Sequence, residues 1–177
     1  SSRLSRALGK SFRKHILNSS GIERFPYAQF DMVRLGIGLH GIGGDSSLKV
    51  VSSFLTTVSQ IRTVAAGDSV GYLRSGVTNQ HSTIATIPVG YADGFHRSLG
   101  NGVGKVYVNA QAAPTIGEIC MDMAMIDVSG LDVSEGDLVE LFGKQQPVSE
   151  LARQAGTIPY EILTSVPERV KRVYLQE

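Results

Sequence analysis

Tyr91 stands between two glycines, Gly90 and Gly94, directly after the apolar run from Ile84 to Val89. The run reads as a buried strand, and glycines spaced this closely read as a tight, backbone-exposing turn. The phenol therefore sits at a strand mouth. A phenol titrates near pH ~10 and, aimed at a reacting carbon, can give or take a proton. The plainer possibility is a tyrosine that covers the strand end with its hydroxyl bonded to backbone. Arg34 lies inside a second apolar run, Met32 to Leu39, where a buried guanidinium must find a partner. Its simplest role is a structural ion pair. His15 opens a short apolar piece that leads into Asn18-Ser19-Ser20-Gly21, a possible anion nest of hydroxyls and N–H groups. Cys120 alternates with apolar residues and has no histidine close by in sequence, which argues against a nucleophile. No metal site is expected.

These residues need elements to hold them. Leu4, Leu8 and Phe12 fall four apart and predict a short amphipathic helix over residues 1–13. His15 to Leu17 and Met32 to Leu39 then read as strands joined by a crossover, a βα unit of a parallel sheet. The Gly41–Ser47 run marks a boundary. Beyond it, residues 48–64 are rich in Val, Thr, Ser and Ile, typical of strands. A turn at 65–69 leads to an extended run at 70–73, and a loop spans 75–80. The Asn-Gly at 101–102 marks a turn, and residues 106–114 read as a hairpin. Residues 116–128 form the longest extended candidate. A strand is expected at Leu138–Phe142, and a helix capped by Ser149 follows it. A short helical piece starts at Tyr160, and 169–175 reads as a terminal strand. The fold class expected is thus a mainly β domain at 45–177, preceded by a βα fragment at 1–44.

Composition narrows the functional classes. Seventeen Lys and Arg against sixteen Asp and Glu leave a net charge of +1, so no basic face advertises nucleic acid. No apolar run approaches the roughly 20 residues of a membrane helix. The first residues are basic but lack the apolar core of a signal peptide, and a single cysteine suits a reducing cytoplasm. Twenty glycines and no tryptophan suit a turn-rich β protein.

Three stretches in order resemble one family. Val89-Gly90-Tyr91-Ala92-Asp93-Gly94-Phe95, Gly117-Glu118-Ile119-Cys120-Met121-Asp122-Met123 and Met32-Val33-Arg34-Leu35-Gly36-Ile37-Gly38-Leu39-His40-Gly41 are similar to the C-terminal half of alanine racemases, with matching spacing from about His15 onward. The resemblance implies that 1–44 are the last βα units of an eight-stranded α/β barrel, incomplete here, and that 45–177 are the family's C-terminal β domain. Two strands cannot close such a barrel.

The implied cofactor is pyridoxal phosphate, which acts as an electron sink and makes the substrate's Cα proton removable. Racemisation then needs acid/base groups on opposite faces. By resemblance, one is a barrel lysine that also holds the cofactor. The other is the tyrosine matched by Tyr91, which serves the partner's site in a head-to-tail homodimer. Arg34 is implied against the pyridine nitrogen, with His15 supporting it. Ser19, the N–H groups of Gly36 and Ile37, and the Tyr160 hydroxyl are implied to bind the phosphate. Met121 and Asp122 are implied on the substrate side. None of Lys10, Lys14, Lys49, Lys105, Lys144 or Lys171 has the setting of the barrel lysine, so this chain alone is expected to be inactive.

The implied reaction interconverts L- and D-alanine for bacterial peptidoglycan, in the cytoplasm, with no nucleic-acid or membrane partner. A serine or lysine racemase, a non-catalytic dimerisation domain, and fusion to another cell-wall enzyme stay compatible with the residues. Two departures from the family bear on access: His40 replaces a more usual tyrosine, and residues 73–78 differ from the usual run after Tyr72.

Overall fold

A computed structural model describes residues 2–44 and 47–175. The chain divides into two compact units, Ser1–Ser52 and Ser53–Glu177. Asp45 and Ser46, within the glycine-rich boundary expected from the sequence, lie outside the described residues.

The first unit begins with α1 (Ser2–Leu8). This helix is shorter than the expected residues 1–13: Gly9 takes a φ of +60° just after it, and Phe12 is exposed beyond its end. Residues 14–17 and 31–34 are linked by N–H bonds from Asp31 to the Lys14 carbonyl and from Arg34 to the Leu17 carbonyl. The constant offset makes the two segments parallel, with α2 (Ser19–Arg24) and a 3-10 turn (Pro26–Ala28) between them. Neither segment becomes a strand, contrary to expectation. Two bonds do not make a ladder, and Ile16, Met32, Leu35 and Leu39 are exposed rather than buried. The end of the second segment is a 3-10 turn, Ile37–His40, closed by Gly41 at φ +74°. A β-carbon on Gly41 would come within 1.8 Å of the Lys49 carbonyl oxygen.

The second unit is built from antiparallel strands: β1 (Phe54–Thr57), β2 (Gln60–Val64), β3 (Ser69–Val70), β4 (Gly76–Val77), β5 (Ser82–Ile87), β6 (Lys105–Val108), β7 (Gln111–Pro114), β8 (Ala124–Asp127) and β9 (Leu138–Phe142). They form sheets of order β1-β9-β6-β7 and β2-β5-β8, with β3 and β4 as a separate pair. A bridge between Thr115 and Ile126 joins the ends of the two larger sheets. The expected hairpin is present: Val106 faces Ala113, and Asn109 and Ala110 turn with positive φ, as a two-residue right-twisting loop requires. Strand β5 is the middle of its sheet, and Ile84, Ala85 and Ile87 are buried. Phe95, Leu99, Val106, Ile126, Val139 and Leu141 fill the core.

Five further expectations change. Within the expected loop at 75–80, Gly76 and Val77 pair as β4 with β3. Residues 70–73 do not stay extended: Gly71 at φ +79° ends β3, and Tyr72–Arg74 make a 3-10 turn. The 116–128 run is a strand only from Ala124, because Gly117 at φ +71° breaks it and 118–123 fold into a loop. Helix α3 (Val148–Ala155) is entered from Pro147, so Ser149 lies in its first turn and not at its cap. Residues 169–175 pair with no strand, and Val173, Tyr174 and Leu175 are exposed. Helix α4 (Pro159–Ser165) carries proline at its first position, where the missing N–H costs nothing, and seats Ile162 in the core. No helix among the described residues is long and apolar enough to cross a membrane.

Candidate active site

Strand β5 delivers the chain to Gly90, where it meets the 118–123 loop at main-chain distance. The Tyr91 N–H donates to the Cys120 carbonyl and the Ala92 N–H to the Met121 carbonyl, each at 3.0 Å. A β-carbon on Gly90 would stand 2.2 Å and 2.3 Å from those two oxygens, so only glycine permits the approach. The Gly90 N–H donates back to Asp93 Oδ2 at 2.9 Å, and Gly94 at φ +98° releases the chain into buried Phe95. Two motifs that lie almost thirty residues apart in the chain are thus joined through backbone.

They wall an open cleft of about 400 Å³, shared by Tyr72, Tyr91, Arg97, Glu118, Met121 and Asp122. Tyr91 is 45 % exposed, and its hydroxyl has no hydrogen-bond partner among the described residues. It is therefore not sealed against its own backbone. Met121 is exposed, and its N–H is also without a partner among the described residues. Asp122 is committed elsewhere, since Arg169 Nη2 donates to its Oδ1 at 2.7 Å. Arg97 Nε pairs with Glu118 Oε2 at 3.1 Å, and Asn101 Nδ2 donates to Oε1 of the same carboxylate at 3.0 Å. Cys120 is buried beneath the wall. Burial first, and the Glu118 charge second, push its thiol up from its ordinary range, so it stays protonated and is no nucleophile.

Tyr72 escapes notice in the sequence because its run reads as strand. It is 72 % exposed on the same cleft, with a hydroxyl free among the described residues. Its backbone surroundings are strained: Leu73 and Arg74 follow at φ 58° and 53°, a region L-residues rarely adopt. The available signal was repetition. Val70-Gly71-Tyr72 and Val89-Gly90-Tyr91 are the same tripeptide.

The first unit gathers the other expected residues. Arg34 Nη1 donates to His15 Nδ1 at 3.0 Å, and Nη2 donates to the Ile16 carbonyl at 3.3 Å. Arg34 is exposed, not buried as its apolar neighbours suggested. Both its partners are neutral acceptors, so no carboxylate among the described residues offsets its charge. Buried Ser19 holds the turn beyond it: Ser19 Oγ accepts from the Gly36 N–H at 3.0 Å and the Gly38 N–H at 3.2 Å. The Ile37 N–H between them makes no hydrogen bond among the described residues. Asn18, not an anion, caps α2 by accepting from the Gly21 N–H at 3.0 Å. Tyr160, in the second unit, is the second residue of α4, half exposed and outside the cleft walls. No cluster of three or more metal-ligating side chains exists among the described residues.

Comparison with known proteins gives one consistent result. The family model described as alanine racemase, C-terminal domain, matches residues 51–174. An alanine racemase of Clostridium tetani is 40% identical over 176 residues, covering 93% of this chain and 46% of that protein. One from Halothermothrix orenii is 42% identical over 172 residues, covering 91% of this chain and 45% of its own length. The solved alanine racemase of Bartonella henselae, with covalently bound pyridoxal phosphate, superposes with a TM-score of 0.88 at 40% identity over 98% of this chain and 50% of that one. The Clostridium difficile 630 enzyme in complex with cycloserine gives 0.89 at 33% identity, over 98% of this chain and 48% of that one. The chain spans about half the length of the relatives it matches.

Proposed function

The chain belongs to the alanine racemase family, and from that premise we propose that it is the C-terminal part of a pyridoxal-phosphate-dependent enzyme interconverting L- and D-alanine. The first unit would supply the last βα units of the barrel, residues 1–44, and its exposed apolar side chains suit a piece that packs against further strands. Bound pyridoxal phosphate supplies the electron sink that loosens the Cα proton.

The residues present fit that group. Arg34, charged yet bonded only to neutral acceptors, is suited to face the neutral pyridine nitrogen, and His15 orients it. An arginine does not readily give up its proton, so the ring would stay a weak sink, which favours racemisation over transamination. The free Ile37 N–H beside the Ser19 hydroxyl, which accepts from the Gly36 N–H and keeps its own proton to donate, is the donor arrangement a phosphate needs. The Met121 N–H would receive the substrate's carboxylate side. Asp122, tied to Arg169, would shape that loop rather than touch substrate.

A cleft phenol would hold and move the proton opposite a lysine that this chain lacks, in the active site of the partner in a homodimer. The motif resemblance names Tyr91. The geometry favours Tyr72, the more exposed phenol, held by strained backbone. The observation that carries the proposal is the open cleft with two unbonded phenols in a domain that matches this family. The product would feed peptidoglycan synthesis in a bacterial cytoplasm.

The experiment is turnover of L-alanine by the full-length protein carrying Tyr72→Phe or Tyr91→Phe. Loss of about a hundredfold or more in kcat in one variant, with cofactor absorbance kept, identifies the acid/base. Full activity in both would sink the proposal.

A further inference from the structure

Arg169 lies outside every motif by which the family was recognised, yet two of those motifs end on it. Its Nε and Nη2 reach Asp93 Oδ1 at 2.9 and 2.8 Å, and Nη2 also donates to Asp122 Oδ1 at 2.7 Å. Asp93 belongs to the turn that carries Tyr91, and its other oxygen already accepts from the Gly90 N–H. Asp122 belongs to the 118–123 loop that carries Met121. One guanidinium thus closes the solvent side of the junction whose inner side is the pair of main-chain bonds from Tyr91 and Ala92.

The chain that presents Arg169 has no helix or strand, but it is folded back on itself. Arg172 donates to the carbonyls of Val166 and Pro167, and the Val170 N–H to that of Pro167. This segment leaves directly from α4, whose second residue is Tyr160. Without the cation, Asp93 and Asp122 would face each other as like charges across the junction, and the loop would lose its outer tie. We propose that Arg169 is a positioning residue for the cleft: it fixes the Met121 loop against the Tyr91 turn and so sets the cleft's shape. This rests on the racemase reading for its catalytic consequence, though not for its structural one.

The test uses the full-length protein with Arg169→Met, Arg169→Lys and Asp122→Ala. Amide hydrogen exchange at Tyr91, Ala92 and Cys120 is followed beside that of core strands β6 and β9, together with kcat and KM for L-alanine. In Arg169→Met, the three amides are expected to exchange about tenfold faster while the core strands are unchanged, and kcat/KM to fall about tenfold. Arg169→Lys, which keeps the charge but loses the fork, should recover part of both. Exchange and kcat/KM within about twofold of the parent in Arg169→Met would overturn the proposal. If that variant does not fold, Asp122→Ala removes only the exposed arm, and unchanged Ala92 and Cys120 exchange in it would overturn the proposal equally. Faster exchange in Arg169→Met, when the parent itself turns over no alanine, would support the clamp and count against the racemase reading alone.

Discussion

Arg34 and His15 meet through Nη1 and Nδ1 at 3.0 Å, and the direction of that bond selects a tautomer. A guanidinium can only donate, so Nδ1 must accept and the imidazole proton must sit on Nε2. Imidazole nitrogen shifts of His15 are expected to show the Nε2–H tautomer in the folded chain, and Arg34→Met should return the ring to a mixture. An Nδ1–H tautomer in the parent would contradict the geometry.

Gly90→Ala should be among the more damaging single changes in the second unit. The added carbon meets two carbonyl oxygens of the backbone, neither of which can swing aside. A loss of about 3 kcal/mol in urea denaturation is expected, by forced overpacking. Gly130→Ala, where nothing lies near but φ is +75°, should cost less, about 1 kcal/mol.

Acid stability will carry the mark of Glu150. Its bonds to Arg153, and then to Gln154, lower its carboxyl from 4.5 to about 2. The carboxylate is thus favoured in the folded state. Its contribution is complete above pH 4.5 and is lost as pH falls through about 2. Glu150→Gln should lower the denaturation midpoint near pH ~6 and converge on the parent at the acid end, where both side chains are neutral. A constant gap across that range would rule this out.

Cys120 should resist alkylation. Burial and the neighbouring Glu118 charge raise its thiol, so iodoacetamide is expected to react slowly at neutral pH and to speed up only well above the range of an ordinary thiol. Rapid labelling at pH ~7 would contradict this.

The 177-residue chain alone, given pyridoxal phosphate, is expected to show no alanine turnover, because none of its six lysines has the setting that the cofactor requires. Measurable turnover would mean that one of them takes that part.

Much of the second unit was legible because its signals are local. Leu138–Phe142 is bounded by Gly136-Asp137, and the Asn109-Ala110 turn lies within a few residues of both strands it joins. The errors fall where a distant partner decides. Residues 118–123 alternate like a strand but are bent into a loop by Gly117, whose φ of +71° sets a β-carbon position 2.6 Å from the Val70 carbonyl oxygen. No pattern near Gly117 announces that neighbour. In the first unit, apolar periodicity reported a tendency to be covered, not the ladder that would do the covering, so Met32–Leu39 read as strand and folds otherwise. At the site, the Tyr91 and Met121 stretches could be named from sequence. Their joining through carbonyls could not, and Arg169 gave no sign of itself.

That joining has a consequence for variation. Because the Tyr91 turn hangs from the peptide oxygens of Cys120 and Met121, and not from their side chains, the exposed Met121 side chain can be exchanged without shifting the frame. Directed mutagenesis could therefore re-line this wall for a bulkier amino acid while the phenols stay in register, provided the glycine at the hinge is left alone.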